Sequence, residues 1–179
     1  HRSRGELPLQ YLTGSQTPED FLSNIAAQAQ DYAGFNLLVG GHDSLWHYTN
    51  SDTKGPQNLP PGIYGLSNDT LDTPWPKVVL GKAKLLALLE TGPMSHRALA
   101  DVVSSQQLAD QNSLIAQGLD STMESTLSPQ FIVTDTYGTR SSTTLWFDAQ
   151  AQASWLEQSF NAQGVLREVQ HKEMRLSDR

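Results

Sequence analysis

The chain has 179 residues, no cysteine and a formal net charge of −7 at pH 7. These residues therefore hold no disulfide, thiolate nucleophile or thiolate metal ligand, and scattered Lys and Arg under a negative net charge argue against nucleic acid as a main partner. Hydrophobic content of 37% is ordinary once the many Gln, Ser and Thr are counted, no run approaches the ~20 apolar residues of a membrane span, and residues 1–179 are expected to form one domain.

His1 to Tyr11, with Arg2 and Arg4 flanking Ser3, reads as a solvated entry segment. A helix then starts: Thr17 can cap, Pro18 suits the first turn, and Glu19 and Asp20 favour the positive end of the helix dipole. Phe21, Leu22, Ile25, Ala29 and Tyr32 recur at helical spacing until Gly34, so one face of this helix belongs to a core. Phe35–Val39 is nearly continuously apolar and predicts a strand covered on both faces. Gly40 to Asp43 form a turn, and Leu45–Asn50 returns as a second strand. Leu45, His47 and Thr49 share one of its faces, with Trp46, Tyr48 and Asn50 on the other. Ser51–Gly62 has no periodicity and holds Pro56, Pro60 and Pro61, which predicts an exposed loop bordering a site or a partner surface.

Leu59–Lys77, LPPGIYGLSNDTLDTPWPK, is the stretch around which the rest is arranged. A Pro-Pro-Gly break leads into a short strand at Ile63–Leu66 and a polar turn at Ser67–Thr70. Pro74-Trp75-Pro76 then holds the chain to one path, because proline fixes φ and removes a donor. The most apolar helical run follows, a core helix over Val78–Leu89 that closes at Gly92-Pro93. Ser95 caps a shorter helix through Val103, a polar helical segment runs from Gln106, and Gly118–Ser128 reads as a loop. Phe131–Thr134 and Thr139–Phe147 alternate as strands about a Tyr137-Gly138 turn. Trp155–Phe160 and Val165–Leu176 make a last hairpin through Asn161 and Gly164. This order of parts predicts layered helices and sheets with mostly antiparallel pairing.

Several residues carry a functional reading beside a plain one. Asn68 sits just past a strand end, where a side chain is held yet can face a cleft; equally it can bond the turn backbone. Arg140 reads as a surface hairpin arginine or as a site cation, and Trp75 as a packing clamp or a ligand platform. His47 lies in an aromatic strand, with a satisfied core role as its alternative. His42, His47, His96 and His171 do not fall at metal-ligand spacing, which argues against zinc. No G-x-S-x-G elbow is present.

Four blocks occur in order over most of the chain: SRGEL at Ser3–Leu7, FNLLVGG at Phe35–Gly41, GLSN at Gly65–Asn68 with LDTPWPKV at Leu71–Val78, and TDTYGTRSSTTLW at Thr134–Trp146. In these the chain resembles the NRDE family, also called the transport and Golgi organisation protein two family. The family opens with an N-terminal cysteine and an Asn-Arg-Asp-Glu signature. Neither is among these residues, and both are expected in an upstream segment of the same protein. The resemblance implies an α+β fold related to N-terminal-nucleophile hydrolases, a four-layer αββα sandwich of mostly antiparallel sheets. Residues 1–179 are then its C-terminal larger part, with the N-terminal strands missing.

In that group the first residue attacks and its own α-amine, titrating at about 7.7–8.0, can serve as base. Asn68 matches the oxyanion-holding asparagine and Arg140 the later strand-borne arginine. The resemblance also implies a cytoplasmic role in haem trafficking and in lipid or acyl-CoA homeostasis, so the implied partner is a small hydrophobic ligand, haem or an acyl compound. Two functions stand side by side. One is haem carriage, with haem as the cofactor in a slot rimmed by Trp46, Tyr48, Tyr64 and Trp75. Arg140, Lys77 or the Arg2/Arg4 pair would supply cations, and His47 or His96 the iron donor. The other is a cysteine amidohydrolase acting on a small acylated amide, its nucleophile upstream of His1.

Overall fold

In the computed structural model, which describes residues 1–41, 43–118 and 122–175, the start of the chain is already folded. Glu6–Thr13 is helix α1, not a solvated entry segment, and its Leu7 is 1% exposed. The two arginines that suggested an open arm are tied down. Arg2 pairs with Glu6 at 2.7 Å and lies over the Tyr32 ring, while Arg4 donates to the Gly34 carbonyl at 2.7 Å. Tyr32 completes the knot by donating its hydroxyl to Glu6 at 2.7 Å.

Helix α2, Pro18–Ala26, begins at the expected cap, where the Thr17 hydroxyl accepts from the Asp20 N–H at 3.1 Å. It ends sooner than its apolar periodicity, and a 3-10 turn at Ala29–Asp31 carries Tyr32 onward into the core. Strands β1 (Asn36–Gly40), β2 (Leu45–Thr49) and β3 (Gln57–Asn58) form an antiparallel sheet in that order. Burial on β1 alternates: Leu37 and Val39 are buried and Leu38 is exposed. The strand is thus covered on one face, not both. The expected strand at Ile63–Leu66 is absent, and the short partner of β2 is β3, inside the stretch that reads as loop. Pro60 and Pro61 lie between β3 and Ile63, and neither has an N–H to extend the ladder. Tyr64 instead folds back, donating to the Pro60 carbonyl at 2.7 Å. α1, α2 and the inner face of the sheet close one core around Leu7, Leu22, Ile25, Phe35 and Tyr48. Each such side chain contributes about 1.5–3 kcal/mol on burial. These elements form one compact unit, His1–Leu71.

The second unit, Asp72–Arg179, starts at the proline-flanked tryptophan. Trp75 is extended and Pro76 opens helix α3, Pro76–Thr91, which Gly92 closes with an N–H to the Leu88 carbonyl at 2.9 Å. The helix lies where the sequence places it but is not a core helix. Val78 is its one buried residue, and Val79, Leu86 and Leu89 are exposed. Helix α4, His96–Val102, has the expected Ser95 cap. The polar segment turns helical only at α5, Gln111–Ile115, where Asp110 caps, and a short helix α6, Thr122–Thr126, occupies part of the expected loop. Residues 119–121 of that loop lie outside the described residues, as do His42 of the first turn and Leu176 at the end of the last strand.

Strands β4 (Ser141–Phe147), β5 (Gln152–Phe160) and β6 (Leu166–Arg175) form an antiparallel sheet in the order β4-β5-β6. The last hairpin is as expected. Asn161 accepts from the N–H groups of Gln163 and Val165, and Gly164 takes φ +72°. The first hairpin differs: Phe131–Thr134 contributes only an isolated bridge, Val133 to Gly138, around a Thr134–Tyr137 turn. The partner of β4 is β5, reached through Asp148, whose carboxylate accepts from the Gln150 and Gln152 N–H groups. The architecture is α+β with antiparallel sheets, as the block order implies.

Candidate functional site

Side chains alternate across a strand, so register decides which groups meet. In the second unit Thr144 stands opposite Leu156, which stands opposite His171; Trp146 stands opposite Ser154, which stands opposite Glu173. Thr144, Trp146, Ser154, His171 and Glu173 thus share one face. Helix α4 packs against β4 and brings its first residue, His96, onto this face. His96 Nδ1 lies 2.7 Å from the Thr144 hydroxyl and Nε2 lies 2.9 Å from the Ser154 hydroxyl. The Ser154 oxygen is also 3.2 Å from His171 Nε2. The Trp146 ring lies against His96, centroids 3.9 Å apart, and Glu173 Oε1 is 3.8 Å from His171 Nε2.

The hydrogen bonds have one consistent direction. Thr144 donates to the Leu156 carbonyl at 3.4 Å, so it accepts from His96 Nδ1–H. His96 Nε2 is then an acceptor for the Ser154 O–H, and Ser154 accepts from His171 Nε2–H. The result is a relay from a half-exposed imidazole through a buried hydroxyl to a second imidazole. Burial holds His96 below its ordinary pKa, with the neighbouring His171 adding to the effect and Glu173 opposing it. A neutral His96 is what the relay requires. Chemically, the arrangement can pass a proton along its length, or offer His171 as a donor with its neighbours pre-oriented.

The first unit holds a smaller polar network. His47, 4% exposed, has Nε2 at 3.1 Å from the Asn36 side-chain carbonyl, and the Asn36 amide donates to the Asp69 carbonyl at 2.9 Å. His47 Nε2 therefore carries the proton, and burial lowers its pKa against the opposing charge of Asp52. Through Asn36 this strand histidine anchors the turn that presents Asn68. That turn is bonded through Asp69, whose carboxylate accepts from the Thr70 N–H. Asn68 itself is exposed, and its side chain has no hydrogen-bond partner among the described residues. Trp46 packs half-buried against the core, and Tyr48, expected at a slot rim, is a core residue beside Phe35.

Asn68, His47, Trp46 and Tyr64 belong to the first unit; His96, Trp75 and Arg140 belong to the second. Arg140 is exposed just before β4, and its carbonyl accepts from the Phe160 N–H at 2.8 Å. Trp75 is half-buried with the Lys77 ammonium 5.4 Å from its ring centre. Lys77 donates to the Leu127 carbonyl, and burial lowers its pKa. It also lines a cavity of about 320 Å³ with Leu80, Asp110 and Gln130, while a cavity of about 200 Å³ lies beside Val103, Phe131 and Phe160. Among the described residues no histidine lines either. Sequence reasoning singled out His96 but missed Ser154, Thr144, Trp146 and His171 as its company. No spacing motif joins them, and the only signal is hairpin register.

No helix among the described residues is long and apolar enough to cross a membrane. Curated relatives matching this chain include a transport and Golgi organization protein 2 homolog from Bos taurus, 33% identical, and a transport and Golgi organization 2 homolog from Mus musculus, 30% identical. The Homo sapiens protein of the first description is 29% identical. Each match covers 88% of this chain but 62% of the relative, so the chain spans less than two thirds of their length. A family model described as Transport and Golgi organisation 2 matches residues 1–162, which contain all four sequence blocks noted above. The chain belongs to the Transport and Golgi organisation 2 family.

Proposed function

We propose that this chain holds a small amphipathic ligand, haem first among them, in an open and readily exchanged way, serving the transport role that its relatives' names describe. The observation that carries the reading is His171. Its side chain is 46% exposed and stands on one sheet face with His96 and Trp146. Haem iron takes an imidazole nitrogen, and a carrier needs that bond to be reversible. His47 is buried with Nε2 committed to Asn36, and both nitrogens of His96 are committed to hydroxyls. Freeing either ring would leave buried polar atoms unpaired, at about 1–3 kcal/mol. His171 gives up at Nε2 only a hydrogen bond of 3.2 Å to Ser154 and the 3.8 Å approach of Glu173. The residues therefore fit haem at a single exposed donor beside an aromatic surface, not in an enclosing pocket. Arg167 and Arg175 stand four positions to either side of His171 on β6, about 13 Å away along the strand, and one or the other can meet the carboxylates, which leave a single edge of the ring. Bound haem supplies a redox-active iron; the chain's part is to hold and release it.

Haem titration into the chain tests this through the Soret band. His171→Ala should weaken binding about tenfold, a loss of about 1.4 kcal/mol, and shift the band, whereas His47→Ala should do neither. A flat titration, or wild-type binding in a His171→Ala, His96→Ala double variant, overturns it.

A second reading, amide hydrolysis by the longer protein, is favoured by one observation: the Asn68 side chain is free of its own turn and open to a ligand. In a protein that carries the upstream cysteine, Asn68→Ala should then lower amide turnover by about 10²–10³. Absence of turnover over an acylated-amide panel ends that reading.

A further inference from the structure

We propose that the chain self-associates through strand β6, pairing antiparallel with the β6 of a second copy about a two-fold axis at Gln170, so that two three-stranded sheets become one of six strands. Among the described residues β6 is the outer strand of its sheet, ten residues long, and every residue in it is exposed. It contains no proline, and its one irregularity lies at the Ser159/Phe160 end of its pairing with β5. Its outer row of N–H and C=O groups is therefore a long pairing template of the kind that natural proteins blunt or use.

Charge selects the occupant and the register. In antiparallel pairing, residues directly opposite each other share the same hydrogen-bonding status, and along one strand that status alternates. A strand meeting its own copy can therefore place only odd residues opposite odd ones and even opposite even. One such register centres on Gln170. It sets Arg167 against Glu173 and Glu168 against Lys172 of the second copy, each pair occurring twice, with Leu166 against Met174 and Val169 against His171. Opposite charges directly across a ladder stabilise it. Sliding the copies by one allowed step loses this. One direction puts Arg167 against Arg175; the other puts Arg167 against His171 and Glu168 against Gln170. The pattern is thus self-complementary in one register, as an isologous two-fold contact requires.

Sedimentation of the chain should give the mass of two copies, twice 19.7 kDa. Lys172→Glu, which sets Glu against Glu168 twice per dimer, should weaken association about tenfold or more. Adding Glu168→Lys to it restores opposite charge at both positions and should restore the dimer. Because the chain has no cysteine, Gln170→Cys introduces a single thiol. Across the axis its partner Cα would lie about 4.5–5.5 Å away, within disulfide reach, so mild oxidation should give a covalent dimer. A monomer at every concentration overturns the proposal. So does a dimer indifferent to Lys172→Glu, or one in which Gln170→Cys does not cross-link. These readouts involve no haem, so they fail or succeed independently of ligand binding.

Discussion

Ser154→Ala is the sharpest test of the imidazole relay. Ser154 is 8% exposed on the central strand of its sheet, and alanine fits that backbone, so the change removes one oxygen and little else. That oxygen is shared by two imidazoles, at 2.9 Å from His96 and 3.2 Å from His171. His171 is half-exposed and can exchange the lost bond for water at little cost. His96 lies under Trp146 with its other nitrogen fixed by Thr144, so its Nε2 is left without a partner. A half-buried polar atom left unpaired costs about 1 kcal/mol, the lower end of the range for a buried one. With a urea slope of about 2 kcal/mol/M, the unfolding midpoint should fall by about 0.5 M at unchanged slope. Tryptophan fluorescence is a suitable probe because Trp146 is a direct neighbour. The same substitution in a His96→Phe background should cost little, since the atom it strands is gone; the coupling should reach about 1 kcal/mol. Equal midpoint shifts in both backgrounds would refute the relay.

Two further outcomes follow from the burial of particular groups. Folding lowers the pKa of both His47 and His96 below the usual 6.5 through burial, so well above pH 6.5 both are neutral in either state and contribute no pH dependence. Below it the unfolded chain binds protons that the folded chain refuses, and stability falls with pH; the thermal midpoint should drop between pH 7 and 5, less so in a His47→Gln, His96→Gln chain, and a midpoint flat over that range contradicts the assignment. Leu7, 1% exposed on α1, should cost about 2–5 kcal/mol when changed to alanine, whereas a loss under about 0.5 kcal/mol in a denaturant melt would mean that α1 does not belong to the first core.

Local chemistry made much of the chain legible. Thr17 and Ser95 announced their helices because a hydroxyl before an apolar run has an N–H to satisfy. The Asn161–Gly164 hairpin was readable from a side chain that caps a turn and a glycine that takes φ +72°. Failures came where a distant partner overrode local pattern. Arg2 and Arg4 look like a solvated tip until Glu6, Tyr32 and the Gly34 carbonyl reach them across up to 30 positions. The α3 run is apolar enough for a core, yet Leu86 and Leu89 are exposed; periodicity states which residues share a face, not whether anything covers it.

The candidate site was hidden by one pairing error. Its hydrogen bonds join residues 48, 58 and 17 positions apart, beyond any motif window. They were still recoverable in principle. With turns placed at Asp148–Ala151 and Asn161–Val165, period-two alternation alone puts Thr144, Trp146, Ser154, His171 and Glu173 on one face. Pairing Thr139–Phe147 with Phe131–Thr134 gave β4 the wrong neighbour and left Ser154 outside any strand. Alternation was equally good for either partner. The Asp148 carboxylate, accepting two N–H groups, and Ala151, held at φ 58°, decide it. A non-glycine residue in the left-handed region costs free energy and is adopted where surrounding bonds require it. The same tight turn fixes the register that sets Ser154 opposite Trp146. What register cannot supply is the element that covers the face. That needs α4, and His96 is its first residue because Ser95 caps there, two positions after Gly92-Pro93. A capping hydroxyl, a breaker pair and a β-turn carboxylate, none of them in the site, are thus what place an imidazole between two hydroxyls.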